Sequence, residues 1–310
     1  MTFLRLLAAL CAALSPFAAA HAAPAPDTSL IVTAEEGFTV PVIVNGRGMR
    51  LRVDPGSSRI VLNPAAAARA GLNGSLFSAR AQIGPIRING ETSLTRVQIG
   101  AWRVSRRIVF FDRDVAPEAD GIIGMSMLPH ASVTMRTGAA ADGERAIPIP
   151  VRLDAQSGLV HHHLVGGETV KVAFRFFVPF SQATASAGAH LAVHNQGTWA
   201  GEPSERPILL GVVRPVRPMR FAAPLSFGGL RMDALLVRTS DWRGNYVLPT
   251  DPEAQASADP DEIVVTANVG RGRAQLTVLI GGDTAGRCSS VTYARAAATL
   301  TFMCPAAMSG

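Results

Sequence analysis

The sequence predicts a mostly β protein made of two related lobes and a β-rich C-terminal tail. Short runs in which apolar and polar residues alternate, such as 82–91 and 97–104, are broken by Gly and Pro as in β-hairpins. The apolar run 108–111 is typical of a buried strand. The spacing of these runs repeats beyond residue 143, which indicates a duplication. Apolar residues form 48% of the chain and charged residues 17%, as in globular proteins.

The stretch 49–62 is the centre of the first predicted lobe. Apolar residues alternate with polar ones up to Val53, which is the pattern of a half-buried strand. Pro55 and Gly56 follow Asp54 directly and force the chain to turn. We therefore expect the Asp54 carboxylate at the end of a strand, on a turn built of small residues.

This turn resembles the Asp-Thr-Gly-Ser/Ala active loop of retropepsin-like aspartic peptidases. Residues 38–46 resemble the opening hairpin of that family, and residues 119–128 its hydrophobic-hydrophobic-Gly element with a Gly-Met-x-x-Leu ending. The resemblance to this group, which includes exported bacterial aspartyl proteases, implies a closed β-barrel lobe of the acid-protease type over residues 30–142. It also implies that Asp54 is catalytic and that hairpin 82–91 covers a cleft. The residues that would support the active loop are Pro55, Gly56, Ser57, Ser58, Ile122, Ile123 and Gly124.

One residue departs from the family pattern. Where the family has Thr, this chain has Pro55, which has neither a hydroxyl group nor a backbone N–H. In the family, both of those groups tie the two active loops together. This substitution threatens catalysis more than it threatens the fold.

Residues 143–250 are predicted to form a degenerate second lobe of a pepsin-like arrangement. Aligning residues 170–181 with the Asp54 stretch sets Pro179 against Pro55 and places Val178 opposite Asp54. The second catalytic carboxylate is then missing. Two acids further along the chain, Asp233 and Asp241, lie in the wrong motif context.

Three functional hypotheses stay open. An aspartic peptidase uses two carboxylates that share one proton, whereas a lone Asp54 should ionise with an ordinary pKa. Two chains could pair their Asp54 loops in a homodimer, or another acid could complete the site of a monomer. In either case Asp54 would activate water to hydrolyse an extended polypeptide. Alternatively, a monomer retains the fold as a catalytically inactive module that binds peptides or acts as a scaffold in the cell envelope.

Residues 1–22 have the pattern of a secretory signal. Arg5 precedes a Leu/Ala-rich segment, and Ala20-His21-Ala22 forms an A-x-A cleavage site. We therefore expect an exported protein, periplasmic or secreted. The predicted tail, residues 262–310, contains Cys288 and Cys304, an even pair that favours a disulfide in an exported chain.

The chain is basic, with a net charge of +6, yet nucleic acid is not an expected partner. Lys171 is its one lysine among 29 basic residues, and most of the arginines are scattered between apolar residues. Contact with an anionic envelope surface is a further expectation. Two local clusters could make it, namely Arg103, Arg106 and Arg107, and Arg214, Arg217 and Arg220.

The histidines do not predict a metal site. Residues 161–163 form a His triplet that we expect in a solvated turn, because no further ligand lies at a helpful spacing. His190 and His194 are four residues apart and fit a surface helix or loop. No cofactor is predicted.

Overall fold

The computed structural model describes residues 28–240, 248–249 and 274–309. The predicted signal peptide, Asp241 and residues 250–261, whose Pro/Ala/Asp-rich composition predicts a linker, lie outside the described residues. Within the described ranges, no helix is both long enough and apolar enough to cross a membrane.

Lobe one is a barrel of six strands with one further strand at its edge. The strand order is β2-β3-β8-β4-β7-β6-β5, and the ring closes because β2 also pairs with β6. The short helix α1, Pro64–Arg69, follows β4 and begins with a proline, which suits the first turn of a helix. The strands are β2 Thr39–Val44, β3 Arg47–Asp54, β4 Ile60–Leu62, β5 Ser78–Ile83, β6 Ile86–Ile99, β7 Trp102–Phe110 and β8 Gly121–Gly124.

Lobe two is built on a second sheet with the order β11-β12-β13-β19-β14-β18-β17-β15, and β16 pairs with β17. Helix α2, Ala185–Asn195, begins at Thr184, whose side chain accepts a hydrogen bond from the Ala187 N–H. The short helix α3, Gly282–Ala285, follows β19. The strands are β11 Arg152–Asp154, β12 Gly158–Val165, β13 Glu168–Phe174, β14 Gln182–Ala183, β15 Gly197–Trp199, β16 Ser204–Leu209, β17 Val212–Phe227, β18 Leu230–Arg238 and β19 Thr277–Ile280.

A third sheet joins the N-terminal, middle and C-terminal parts of the chain. Its order is β1-β9-β20-β21-β10, with β1 parallel to β9 and the other pairs antiparallel. Two 3₁₀ helices, Met125–Met127 and Ala306–Met308, complete the described elements. The strands are β1 Ser29–Thr33, β9 Ser132–Arg136, β10 Glu144–Pro150, β20 Ser290–Ala294 and β21 Thr299–Pro305.

The described part of the predicted C-terminal tail divides between two sheets. Strand β19 lies in the lobe-two sheet, between β13 and β14, while β20 and β21 lie in the third sheet. Cys288 and Cys304 form the predicted disulfide, and both are buried. The mostly β fold and the closed barrel lobe are confirmed.

Candidate active site

The two lobes carry equivalent loops at their centres. In each lobe a middle strand has a parallel neighbour on one side and an antiparallel neighbour on the other. In both lobes, one residue of the middle strand pairs with a residue on each neighbouring strand, and these two partners are nine positions apart in the sequence. The loops between them therefore have the same length. The flanking pairs are Arg52 and Val61 beside Ile122, and Ala173 and Gln182 beside Leu279.

This register makes Arg175 the lobe-two equivalent of Asp54. The backbone hydrogen bonds of the two loops agree, because the Ser57 N–H donates to the Asp54 carbonyl at 3.2 Å and the Val178 N–H donates to the Arg175 carbonyl at 3.1 Å. The predicted placement of Val178 opposite Asp54 is wrong by three residues. It rested on matching Pro179 to a proline of the first loop, whereas strand pairing fixes the register.

The Asp54 carboxyl group is buried between these loops, with 4% of the residue exposed. One oxygen, Oδ1, accepts a hydrogen bond from the Gly56 N–H at 2.8 Å, and the other, Oδ2, lies 3.7 Å from Nη1 of Arg175. Burial raises the pKa of Asp54, while Arg175, the Gly56 N–H and Arg52 act in the opposite direction. The expectation of an ordinary pKa is wrong, because the loop excludes water from the carboxyl group.

Arg175 is held against the first loop by close packing as well as by charge. Its side chain is 15% exposed. A Cβ atom on Gly56 would lie 2.3 Å from Arg175 Cγ and 2.5 Å from the Phe174 carbonyl oxygen. The two loops can therefore approach this closely because residue 56 is a glycine, and a side chain at this position would displace Arg175.

The predicted support residues of the first loop lie around Asp54. The Pro55 carbonyl accepts a hydrogen bond from the Leu159 N–H at 2.8 Å, which ties the loop to lobe two through backbone atoms. The Ser58 hydroxyl donates to the Ala155 carbonyl at 2.7 Å, and the Ser57 hydroxyl donates to the Arg59 carbonyl at 2.8 Å. Backbone and serine contacts thus hold this loop, in which Pro55 replaces the Thr that helps to hold the loop in the family.

Residues Ile122, Ile123 and Gly124 form part of β8, directly beside Asp54. Gly124 is the register partner of Asp54, and a Cβ atom there would lie 2.1 Å from the Ser57 carbonyl oxygen. A glycine is required at this position because the returning loop passes over it.

Aromatic side chains dominate the second loop. The Phe177 ring packs on Phe38 with 5.8 Å between centroids, and the guanidinium of Arg52 lies 3.8 Å from the Phe177 centroid. Phe176 packs on Phe302 in the third sheet, also at 5.8 Å. By register, Phe176 and Phe177 occupy the positions of Pro55 and Gly56, so the second loop departs further from the family pattern than the first.

Two hairpins meet through apolar side chains at one end of the lobes. The predicted flap 82–91 is part of the β5–β6 hairpin, which turns at Gly84 and Pro85. Arg113 of lobe one donates a hydrogen bond to the Leu210 carbonyl at the tip of the β16–β17 hairpin, at 3.1 Å. The hairpins therefore close against each other. The buried residues in this contact are Ile83, Ile88, Ile208, Leu210, Val212 and Val216, with Phe180 of the second loop packed against them.

Among the residues that the structure describes, the charged groups brought to Asp54 are cations and not a second acid. Arg175 and Arg52 are the charged groups that shift its pKa. Asp233 is exposed and lies 3.7 Å from Arg231, and Asp241 is outside the described residues. A guanidinium has no acceptor and does not deprotonate in proteins, so Arg175 cannot share a proton with Asp54.

Two histidine predictions are corrected by the fold. Residues 161–163 lie in strand β12, not in a turn, and His161 and His163 share a face with 5.8 Å between ring centroids. His190 is buried in α2, where its Nε2 lies 2.8 Å from the Val165 carbonyl oxygen. In the part of the chain that is described, no group of three or more His, Cys, Asp or Glu side chains could hold a metal ion.

Comparison with known proteins agrees with the first-lobe geometry. Residues 40–127 match a family profile described as aspartyl protease. For this segment, the resemblance to retropepsin-like aspartyl proteases is confirmed. Among solved structures, the chain is similar to the EIAV protease complexed with the inhibitor HBY-793, with 19% identity, a TM-score of 0.22, and coverage of 28% of this chain and 79% of that one. No curated protein matches the chain.

Sequence reasoning missed Arg175, although a signal for it exists. Leu279, Ile280 and Gly281 form a second hydrophobic-hydrophobic-Gly element like that of the aspartyl protease segment. A Cβ atom on Gly281 would lie 2.4 Å from the Phe180 carbonyl oxygen of the second loop, so a loop backbone passes close to this glycine as one does to Gly124, although at a different loop position. This element lies in the predicted tail, far along the chain from the second loop, so its partner strand could not be recognised from spacing.

The raised pKa of Asp54 predicts a pH-dependent stability difference. Between the ordinary Asp pKa of about 3.9 and the higher folded value, the folded state binds more protons than the unfolded state. The free energy of unfolding of the wild type, relative to Asp54→Asn, should therefore fall as the pH rises above about 4. Urea denaturation of both proteins across pH 3–8 measures this difference. A difference that rises with pH would show that Arg175 outweighs burial.

Asp120→Asn is the matched control, because the shift there has the opposite sign. Burial acts to raise the pKa of Asp120, but the Arg50 N–H and the Arg69 side chain together lower it. The wild type should therefore gain stability relative to Asp120→Asn as the pH rises through the acid range.

The contact between Asp54 and Arg175 predicts coupling between mutations. Arg175→Gln should destabilise the protein by about 3–5 kcal/mol at pH 8, because it leaves a buried carboxylate without its nearest cation. Adding Asp54→Asn should restore part of that loss. Unfolding free energies of the wild type, both single variants and the double variant measure the coupling. Additivity within about 0.5 kcal/mol would show that the two side chains do not interact.

Proposed function

We propose that this protein is a catalytically inactive, two-lobed relative of aspartyl proteases that binds an extended polypeptide without cleaving it. The observation that carries the proposal is Arg175, which occupies the lobe-two position equivalent to Asp54 and lies 3.7 Å from its carboxylate. The family profile and the barrel support a peptidase-like protein. The residues at its centre favour binding over hydrolysis.

The chemistry of hydrolysis supports this choice. An aspartic peptidase needs one carboxylate as the base for water and a second, protonated one as the acid for the carbonyl oxygen. Asp54 could serve as one of these groups, but Arg175 can serve as neither. A homodimer does not supply the missing acid, because lobe two already occupies the face at which a partner's Asp54 loop would pair.

The contact between the two hairpins must be broken before a peptide can enter, which requires a free energy of opening. Ile83 and Ile88 of lobe one pack with Ile208 and Leu210 of lobe two, so a polypeptide that reaches the loops must first separate these side chains. An extended segment could then pair with the hairpin strands through its backbone. Affinity is reduced by the free energy of opening, since only the open form binds.

The absence of catalysis is tested with an unfolded protein substrate. Purified wild type and Asp54→Asn should cleave reduced, carboxymethylated α-lactalbumin at the same background rate between pH 3 and 7, as measured by mass spectrometry of the products. Cleavage by the wild type that pepstatin inhibits and Asp54→Asn abolishes would establish an aspartic peptidase and end this proposal.

A pair of substitutions tests which residue faces Asp54. Arg175→Asp should gain cleavage that a further Asp54→Asn removes, because it places a second carboxylate beside the first. Val178→Asp is the matched control and should gain none, since Val178 is the equivalent of Ser57. Cleavage by Val178→Asp alone would refute the register given above.

Loosening the hairpins should increase peptide binding. Ile208→Ser weakens the apolar contact, so a fluorescent, unfolded α-lactalbumin probe should bind about tenfold more tightly in anisotropy titrations. Val213→Ser is the control, because Val213 is 47% exposed on the same hairpin. Equal affinity in Ile208→Ser and Val213→Ser would mean that the probe binds elsewhere.

A further inference from the structure

The outer face of lobe one carries three exposed apolar side chains close to exposed arginines. Leu76, Phe77 and Leu94 have exposures of 103%, 64% and 63%. Leu94 lies on β6 directly opposite Arg107 of β7. Arg96 lies two residues further along β6, on the same face as Leu94. Exposed apolar side chains that are grouped, rather than scattered singly, mark interaction surfaces.

The loop that carries Leu76 is anchored on both sides of it. The Ser75 N–H donates to the Thr92 carbonyl at 2.8 Å, and the Thr92 hydroxyl donates to the Phe77 carbonyl at 2.5 Å. Arg107 Nη1 lies 3.0 Å from the hydroxyls of Ser75 and Thr92, and its guanidinium lies 4.5 Å from the Phe77 centroid. These contacts fix a conformation in which Leu76 projects fully into water, where it contributes nothing to folding.

Arginine dominates the charge of the same sheet face. Arg96, Arg103 and Arg107 are all exposed, and Arg103 Nε donates to Gln98, its neighbour across the strands, at 3.1 Å. One acid, Glu91, lies near the loop, with its carboxylate over Gly74. Arginine keeps its charge at all physiological pH values, so this face stays positive.

We propose that this face, defined by Leu76, Phe77, Leu94, Arg96, Arg103 and Arg107, docks on the surface of an anionic phospholipid bilayer. Leu76, Phe77 and Leu94 enter the boundary between headgroups and acyl chains, and the arginines contact lipid phosphates. This combination of apolar projections and basic residues is what interfacial binding requires, since either signal alone gives weak attachment. The inference is independent of the function proposed for the loops.

Co-sedimentation of the purified protein with lipid vesicles tests the proposal. The protein should bind vesicles of phosphatidylcholine with 30% phosphatidylglycerol, and raising the salt from 50 to 300 mM should weaken that binding. Binding to pure phosphatidylcholine should be at least tenfold weaker. Equal binding to both vesicles, or none to the anionic ones, would overturn the proposal.

Matched variants assign the binding to this face. Leu76→Ser with Leu94→Ser should weaken binding about tenfold, whereas Leu164→Ser with Val193→Ser, at exposed sites of lobe two, should leave it unchanged. Arg96→Gln with Arg103→Gln should weaken binding about 25-fold, at about fivefold per charge. The control pair Arg145→Gln and Arg287→Gln, also at exposed sites, should have less than half of that effect on a logarithmic scale. Each substituted side chain is exposed, so folding is preserved, and circular dichroism verifies this. Equal losses in test and control variants would contradict the assignment.

Discussion

The buried contact between the Asp54 carboxyl group and the Arg175 guanidinium is the constraint around which the two lobes are arranged. Asp54 ends β3 and Arg175 directly follows β13, each next to a hydrophobic-hydrophobic-Gly element, and the two loops meet with their backbones in contact. Gly56 allows that approach, and the Pro55 carbonyl fastens it. Removing Arg175 would leave the buried Asp54 carboxyl group without its nearest cation, so the two residues constrain each other.

The residues around this pair support the proposal that the site binds a polypeptide without cleaving it. In lobe two the loop positions equivalent to Pro55 and Gly56 hold Phe176 and Phe177, whose rings pack into the third sheet and onto lobe one. These rings increase apolar contact between the lobes where a peptidase would need small residues and polar hydrogens. The two hairpins also contact each other through apolar side chains.

Local patterns were enough to predict lobe one, and pairing between distant segments was needed for lobe two. The alternation up to Val53, the turn at Pro55 and the Gly124 element are all contiguous signals. The disulfide could be predicted from the even number of cysteines in the predicted exported chain. Lobe two depends on β19, which pairs with β13 from about a hundred residues away. Without that pairing, matching prolines set the alignment and placed Val178 where Arg175 lies. Burial of Asp54 was also unpredictable, since it arises from contact between two loops of different lobes.

The central claim is that Asp54 is a single buried carboxyl group beside a guanidinium, and NMR titration of its carboxyl carbon tests this most directly. We expect one titration step with a midpoint above the ordinary Asp value of about 3.9. This midpoint should move higher still in Arg175→Gln, because a neighbouring positive charge is lost. Two coupled steps of the kind that carboxylates sharing a proton display would contradict it, since they would require a second acid at the site.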